Sequence, residues 1–272
     1  MRTNVATELA PRPPTSPVQQ WWVLTIRMVI PSLRNGEVVT LIAGSIMFTI
    51  GFYIPLKEMT GAATGMSSYA QFLTPMVVIV AITFAAVSAA FRSASDAGLG
   101  INRRFKTMPI PSLVPLASRM SASVYRCTVA MAVSLACGHV IGFRFHNGFW
   151  YLAAFCGLSL LVGIALSLLG DFIGISTENP EATTHLILLP QLIFGFLSVG
   201  VQPVERFPDW IQPFVRNQPV SQFVYALRAL AGDTSPTVPA ATWSVIGPAL
   251  LWAIGIIVAL IPLHARIAAR RQ

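Results

Sequence analysis

Phe149-Trp-Tyr-Leu-Ala-Ala-Phe-Cys-Gly-Leu-Ser-Leu-Leu-Val-Gly-Ile-Ala-Leu-Ser-Leu-Leu-Gly170 contains no charged residue. As an α-helix this stretch is about 33 Å long, enough to cross the roughly 30 Å hydrocarbon core of a bilayer. Five more apolar windows surround it: Val38–Leu56, Phe72–Phe91, Met120–Phe143, Thr183–Val201 and Trp243–Leu263. The runs are continuous and do not alternate, which excludes an outer-membrane barrel. The whole chain agrees: 54% of its 272 residues are hydrophobic, 10% are charged, and mean hydropathy is +0.67. A soluble domain carries about 25% charged residues. The expected fold class is an all-α polytopic membrane protein with six transmembrane helices.

Charge sets the expected orientation. Alternate threading of six spans puts 13 of the 18 Lys and Arg on one side, leaving Lys57, Arg144, Arg206, Arg216 and Arg228 on the other. The positive-inside rule makes the richer side cytoplasmic, with both termini there. The net charge of +8 is thereby explained by topology, without nucleic acid as a partner. Residues 1–18 are polar and Pro-rich, contain no apolar signal segment, and are expected to form a disordered cytoplasmic tail. The remainder, 19–272, reads as one helical domain. Cys127, Cys137 and Cys156 all fall in predicted spans and read as small buried apolar side chains.

Between tail and first span, residues 19–34 carry Trp21, Trp22 and arginines at Arg27 and Arg34 on one helical face. This pattern predicts a helix in the cytoplasmic interface, kinked or ended at Pro31; a ragged start to the first span is the simpler alternative. The largest cytoplasmic connection, 93–118, includes Gly100-Ile-Asn-Arg-Arg-Phe-Lys-Thr-Met-Pro109. Its breakers predict a short basic helix near Ile101–Thr107. The long external segment 202–242 contains Val220, Phe223, Val224, Leu227 and Leu230, opened by Pro219 and closed by Gly232. That spacing predicts an amphipathic, interfacial or re-entrant helix with Tyr225 and Arg228 on its polar side.

Chemistry-bearing patterns are sparse. The two lysines, Lys57 and Lys106, stand in no phosphate-binding G-x-x-x-x-G-K-[ST] context, so nucleotide hydrolysis of that type is excluded from this chain. His139, His146, His185 and His264 lack metal-site spacing, and no G-x-S-x-G elbow occurs. No catalytic residue, metal ligand or cofactor is expected. Arg126 and Asp171 fall at similar depth on neighbouring antiparallel spans. They would either form a structural ion pair or act separately, Arg126 reaching headgroups and Asp171 capping a helix end. Gly138-x-x-x-Gly142 and Gly170-x-x-x-Gly174 match the small-residue packing pattern.

The interfacial helix, six spans, loop after the second span and external helix resemble type-2 ABC exporter permeases. Gly100–Pro109 keeps the Gly-to-Pro distance and the apolar Phe105 of that family's loop, with Arg103 where the family often has Glu. A narrower likeness, to the daunorubicin-resistance/DIM-transport permeases (DrrB-type subunits), is carried by several stretches. These are Asn35-Gly-Glu-Val38, Gly51-Phe-Tyr-Ile-Pro55, Asn102-Arg-Arg-Phe105, Val140-Ile-Gly-Phe-Arg-Phe-His146, Pro213-Phe-Val-Arg-Asn-Gln-Pro219 and Ala226-Leu-Arg-Ala-Leu-Ala-Gly-Asp233.

The resemblance implies an exporter permease in the bacterial plasma membrane that moves hydrophobic drugs or complex envelope lipids. Two separate ABC ATPase subunits would power it, beside a second, identical or different, permease subunit. It further implies ATPase coupling through Asn102, Arg103, Arg104, Phe105, Lys106 and Met108. An external gate would be formed by Trp210, Phe214, Arg216, Tyr225 and Arg228. The alternative function is a non-transport scaffold of a lipid-synthesis complex in the membrane, with an enzyme less favoured still.

Overall fold

The computed structural model describes residues 16–60, 69–101, 104, 108, 110–111, 113–177, 179–232 and 240–270. Among them are nine α-helices and no strand. Ser16 opens the first helix, α1 (Pro17–Arg34), with a reciprocal capping box to Gln19 and Pro17 in the first turn. Contrary to one expectation, α1 does not end at Pro31: the Asn35 amide still closes on the Pro31 carbonyl at 2.8 Å. Gly36, at φ 73°, then turns the chain into α2 (Glu37–Thr60).

The remaining helices are α3 (Tyr69–Gly98), α4 (Leu113–Val140), α5 (Phe149–Thr177) and α6 (Pro180–Phe196). Two shorter ones, α7 (Gln212–Asn217) and α8 (Pro219–Ala231), precede α9 (Trp243–Arg270). Five helices, α2, α3, α4, α5 and α9, are long and apolar enough to cross a membrane. The sixth expected span corresponds to α6, whose 17 residues rise about 26 Å before the chain turns at Leu197. The apolar windows marked the spans, but α3 and α5 run on past them with polar last turns, and α4 begins at Leu113, ahead of its window. The connection between α3 and α4 is accordingly shorter than the sequence implied.

α3 is the axis of the bundle. Its most apolar window is 78% buried, against 17% for α2 and for α9. It packs against α2, α4, α5, α6 and α8. The α5 contact is the tightest, and glycine makes it possible: a Cβ on Gly174 would lie 2.4 Å from the Ala90 carbonyl oxygen, and one on Gly170 2.9 Å from that of Ala86. The Gly170/Gly174 pattern thus marks a real close approach. Gly138 likewise faces Thr74 of α3, whereas Gly142 lies at φ 107° in the turn after α4.

Aromatics bracket the bundle. Phe149, Trp150 and Trp243 begin α5 and α9 and are largely exposed, as is Trp22 on α1. Such rings favour the headgroup level on both sides of a bilayer.

Candidate functional site

α3 has a polar cluster at each end. At the end shared with α1 and the 99–112 connection, Glu37 opens α2 and accepts hydrogen bonds from Ser32 (2.8 Å), Ser88 (2.6 Å) and Arg92. Arg126 of α4 approaches the same carboxylate at 3.7 Å. One turn further along, Asp171 of α5 is fully enclosed. It pairs with Arg119 of α4 at 3.0 Å, accepts from Ser93 of α3, and lies 3.2 Å from His264 Nε2 of α9. His264 Nδ1 faces the Leu260 carbonyl at 3.0 Å, so each ring nitrogen is opposite an acceptor. Two carboxylates thereby tie α1, α2, α3, α4, α5 and α9 together. A cavity of about 230 Å³ lies between them, bordered by Arg27, Arg92, Asp96, Arg119, Arg126 and Asp171, and also by Ile101 at the start of the connection.

The expected Arg126–Asp171 ion pair is not formed. Both residues border this cavity, but Arg126 turns to Glu37 and Asp171 to Arg119. Arg119 and Arg126 are seven residues apart, two turns of one helix face, and Asp171 meets the one nearer the helix end. Glu37, Arg92, Arg119 and His264 were not singled out from sequence. The available signal was Ser88, Arg92 and Asp96 recurring every four residues on one face of the second span.

The opposite cluster is built on main-chain groups. Gln71 imitates a backbone unit: its Nε2 donates to the Arg144 carbonyl (2.7 Å) and its Oε1 accepts from the Arg144 amide (3.1 Å). The His146 amide donates to the Ala231 carbonyl at 3.2 Å, joining the α4–α5 turn to the end of α8. Gly232 closes α8 at φ 78°, where a Cβ would lie 2.8 Å from Asn147 Oδ1. At the other end of α8, Gln218 Nε2 donates to the Phe194 carbonyl (3.0 Å) and Ser221 Oγ accepts from the Val199 amide (3.2 Å).

Arg228 corrects a second expectation. It was placed on the polar side of α8, yet it is 2% exposed. Its Nε donates to the Phe72 carbonyl (2.9 Å), another nitrogen to the Gly200 carbonyl (3.3 Å), and the guanidinium carbon lies 3.5 Å from the Phe72 ring centroid. α8 is socketed against α3, α5 and α9, as in the re-entrant alternative, so little polar face is left over. Among its supposed gate companions, Tyr225 is half-buried. Trp210, Phe214 and Arg216 are exposed, with Phe214 stacked on Phe194 at 6.0 Å. The five residues therefore divide between a buried socket and an exposed rim.

Of the expected coupling residues, Asn102, Arg103, Phe105 and Lys106 lie outside the described residues. Arg104 and Met108 are exposed, and the Arg104 amide closes on the Gly100 carbonyl at 3.3 Å as in a first helical turn. Between the polar clusters, an apolar cleft of about 400 Å³ runs between α2 and α3. It is bordered by Leu41, Met47, Phe48, Val77, Phe84 and Phe91. That volume falls in the range of small-molecule sites, about 300–1,000 Å³. No group of three metal-ligating side chains occurs among the described residues.

The ABC-2 type transporter family matches residues 19–231. Over 259 residues the chain is 47% identical to the doxorubicin resistance ABC transporter permease protein DrrB of Mycobacterium tuberculosis, covering 93% of this chain and 90% of that protein. The probable doxorubicin resistance ABC transporter permease protein DrrC of the same organism is 29% identical over 209 residues, 75% of each chain. The daunorubicin resistance ABC transporter permease protein DrrB1 of Streptomyces coeruleorubidus is 28% identical over 208 residues, 75% of this chain and 70% of that one.

Proposed function

Because this chain belongs to the ABC-2 type transporter family, we propose that it is the permease subunit of an exporter for hydrophobic drugs of the doxorubicin and daunorubicin kind. The observation that carries this reading is the 47% identity across nearly the whole length of a doxorubicin resistance permease. Nucleotide hydrolysis belongs to a partner, since the chain itself lacks a phosphate-binding loop. In this reading two ATPase subunits dock on the side where α1 and the 99–112 connection meet. Two permease subunits, identical or different, face each other in the bacterial plasma membrane with their termini in the cytoplasm.

The proposed mechanism runs along α3. Phe105 seats in a groove of the ATPase, rimmed by Asn102, Arg103, Arg104, Lys106 and Met108, and displacement of that loop reaches α3 through Gly98. Glu37 and Asp171 link the inner ends of six helices while letting their arginines exchange partners as the helices tilt. At the other end, Gln71, Phe72 and Arg228 make α8 follow α3. The rim formed by Trp210, Phe214 and Arg216 then shifts, opening the outer end of the path. The α2–α3 cleft, apolar and of drug size, supports a cargo contact there. An uncharged wall suits a hydrophobic cargo that partitions from the inner leaflet.

The test is ATP-dependent doxorubicin accumulation in inside-out membrane vesicles containing this chain and its partner ABC ATPase. The expected result is uptake that stops with Arg103→Glu and Phe105→Ala combined, while membrane abundance is unchanged. Uptake at the normal rate would refute the coupling assignment. Absence of any nucleotide-driven transport, for drugs and envelope lipids alike, would favour a membrane scaffold.

A further inference from the structure

Of the charged side chains bordering the 230 Å³ cavity, Arg92, Arg119, Arg126 and Asp171 are engaged in the two carboxylate clusters. Two others remain, Arg27 on α1 and Asp96 on α3. Neither makes a hydrogen bond or ion pair with another described residue. This cation and anion border one small space without touching: Asp96 feels the charges of Arg119, Arg27 and Arg92 across it but is in hydrogen-bond contact with none of them. Arg27 is exposed at its mouth and Asp96 is half-buried.

The surroundings narrow the ligand. The cavity lies behind α1, whose Trp21 and Trp22 favour the headgroup layer. Leu24 and Met28 of α1 and Ala89 of α3 supply an apolar border, and Val23 and Ile30 leave an exposed apolar flank on α1. At 230 Å³ the space is below the range of drug-sized sites, about 300–1,000 Å³. What fits is a small group with one negative and one positive charge, joined to acyl chains that lie outside along α1. Arg27 presents a guanidinium fork, which matches phosphate oxygens, and Arg92 has more N–H donors than Glu37 alone engages. Asp96 presents acceptors only, which match a primary ammonium with its three N–H groups.

We propose that this cavity holds the phosphoethanolamine headgroup of a membrane phospholipid, with its phosphate on Arg27 and its ammonium on Asp96. The lipid would fill the space between α1 and α3 beside Ile101, steadying the root of the loop that leads to residues 102–108. Binding is a property of the permease alone and does not depend on the transport reading.

The test is native mass spectrometry of the purified full-length permease equilibrated with a phospholipid series differing only in headgroup methylation. The series runs from phosphatidylethanolamine through its mono- and dimethyl forms to phosphatidylcholine, with soluble phosphoethanolamine present. Retention should fall stepwise with methylation, by about tenfold over the series, the effect of one charge-assisted hydrogen bond. Asp96→Asn should flatten the series and Arg27→Gln should lower retention of every member. Asp96→Glu and Arg27→Lys should preserve the ranking. A flat series on the unmodified chain would overturn the proposal, whatever the variants do. So would a ranking that survives both charge-removing substitutions, or retention of soluble phosphoethanolamine in place of the lipid.

Discussion

The two ends of α3 hold their neighbours by different chemistry. At the end near α1, Glu37 and Asp171 collect arginines, serines and a histidine from α1, α3, α4 and α9 through side chains. At the end joined to α8, Gln71 and Arg228 bind mainly carbonyls and amides of the backbone. Side-chain ion pairs can exchange partners when helices tilt, because Arg92, Arg119 and Arg126 border one cavity with two carboxylates in reach. Backbone acceptors cannot be exchanged without unwinding a turn. The contrast assigns compliance to the end near the connecting loop and rigidity to the junction of α3 with α8. That is the arrangement expected where a loop must move and a distant helix must follow.

The largest expected effect breaks the carboxylate end. Asp171→Ala leaves Arg119 and His264 enclosed without their carboxylate and should destabilise the protein by about 3 kcal/mol or more. Thermal unfolding in mild detergent reads this directly. Arg228→Ala breaks the α8 end, leaving the Phe72 and Gly200 carbonyls without their cation. A loss of about 2 kcal/mol is expected, with Arg228→Lys roughly half as severe. The comparison is sharpened if Arg228→Lys lowers drug export more than it lowers the melting temperature, the result expected if the proposed transmission runs through that junction.

Gly174→Ala tests the shaft between the ends by pushing a methyl into the Ala90 carbonyl, at about 1–2 kcal/mol. Glu37→Gln can accept from Ser32 or from Ser88 but not from both, since an amide nitrogen replaces one oxygen, and it discards the charge. About 1 kcal/mol is expected from the same unfolding assay. Met108→Ser, on an exposed side chain, should move stability by less than about 0.5 kcal/mol. Any defect it shows would be in ATP-driven export.

Much of the architecture was readable because apolarity and breakers are local properties. The window Phe149–Gly170 became α5, and Pro219, Gly232 and the spacing of Phe223, Val224, Leu227 and Leu230 became α8. Partner choice was not local. Arg126 and Asp171 have similar depth, but Glu37 and Arg119 intervene from other parts of the chain, and only packing decides between them. Arg228 failed for a related reason. Periodicity gives the face on which a residue sits, whereas its exposure depends on what covers that face; here α3 does. Gln71 was invisible because a glutamine serving as a surrogate backbone unit has no sequence signature apart from being polar in an apolar run.

The central claim is that this permease works through a separate ATPase seated on the loop between α3 and α4. The most direct test is purification of the chain from its own cells in mild detergent, with mass spectrometry of what co-elutes. The account predicts a stoichiometric soluble protein carrying a phosphate-binding loop, absent when Arg103→Glu and Phe105→Ala are introduced together. Intact permease eluting with no such ATPase would contradict it.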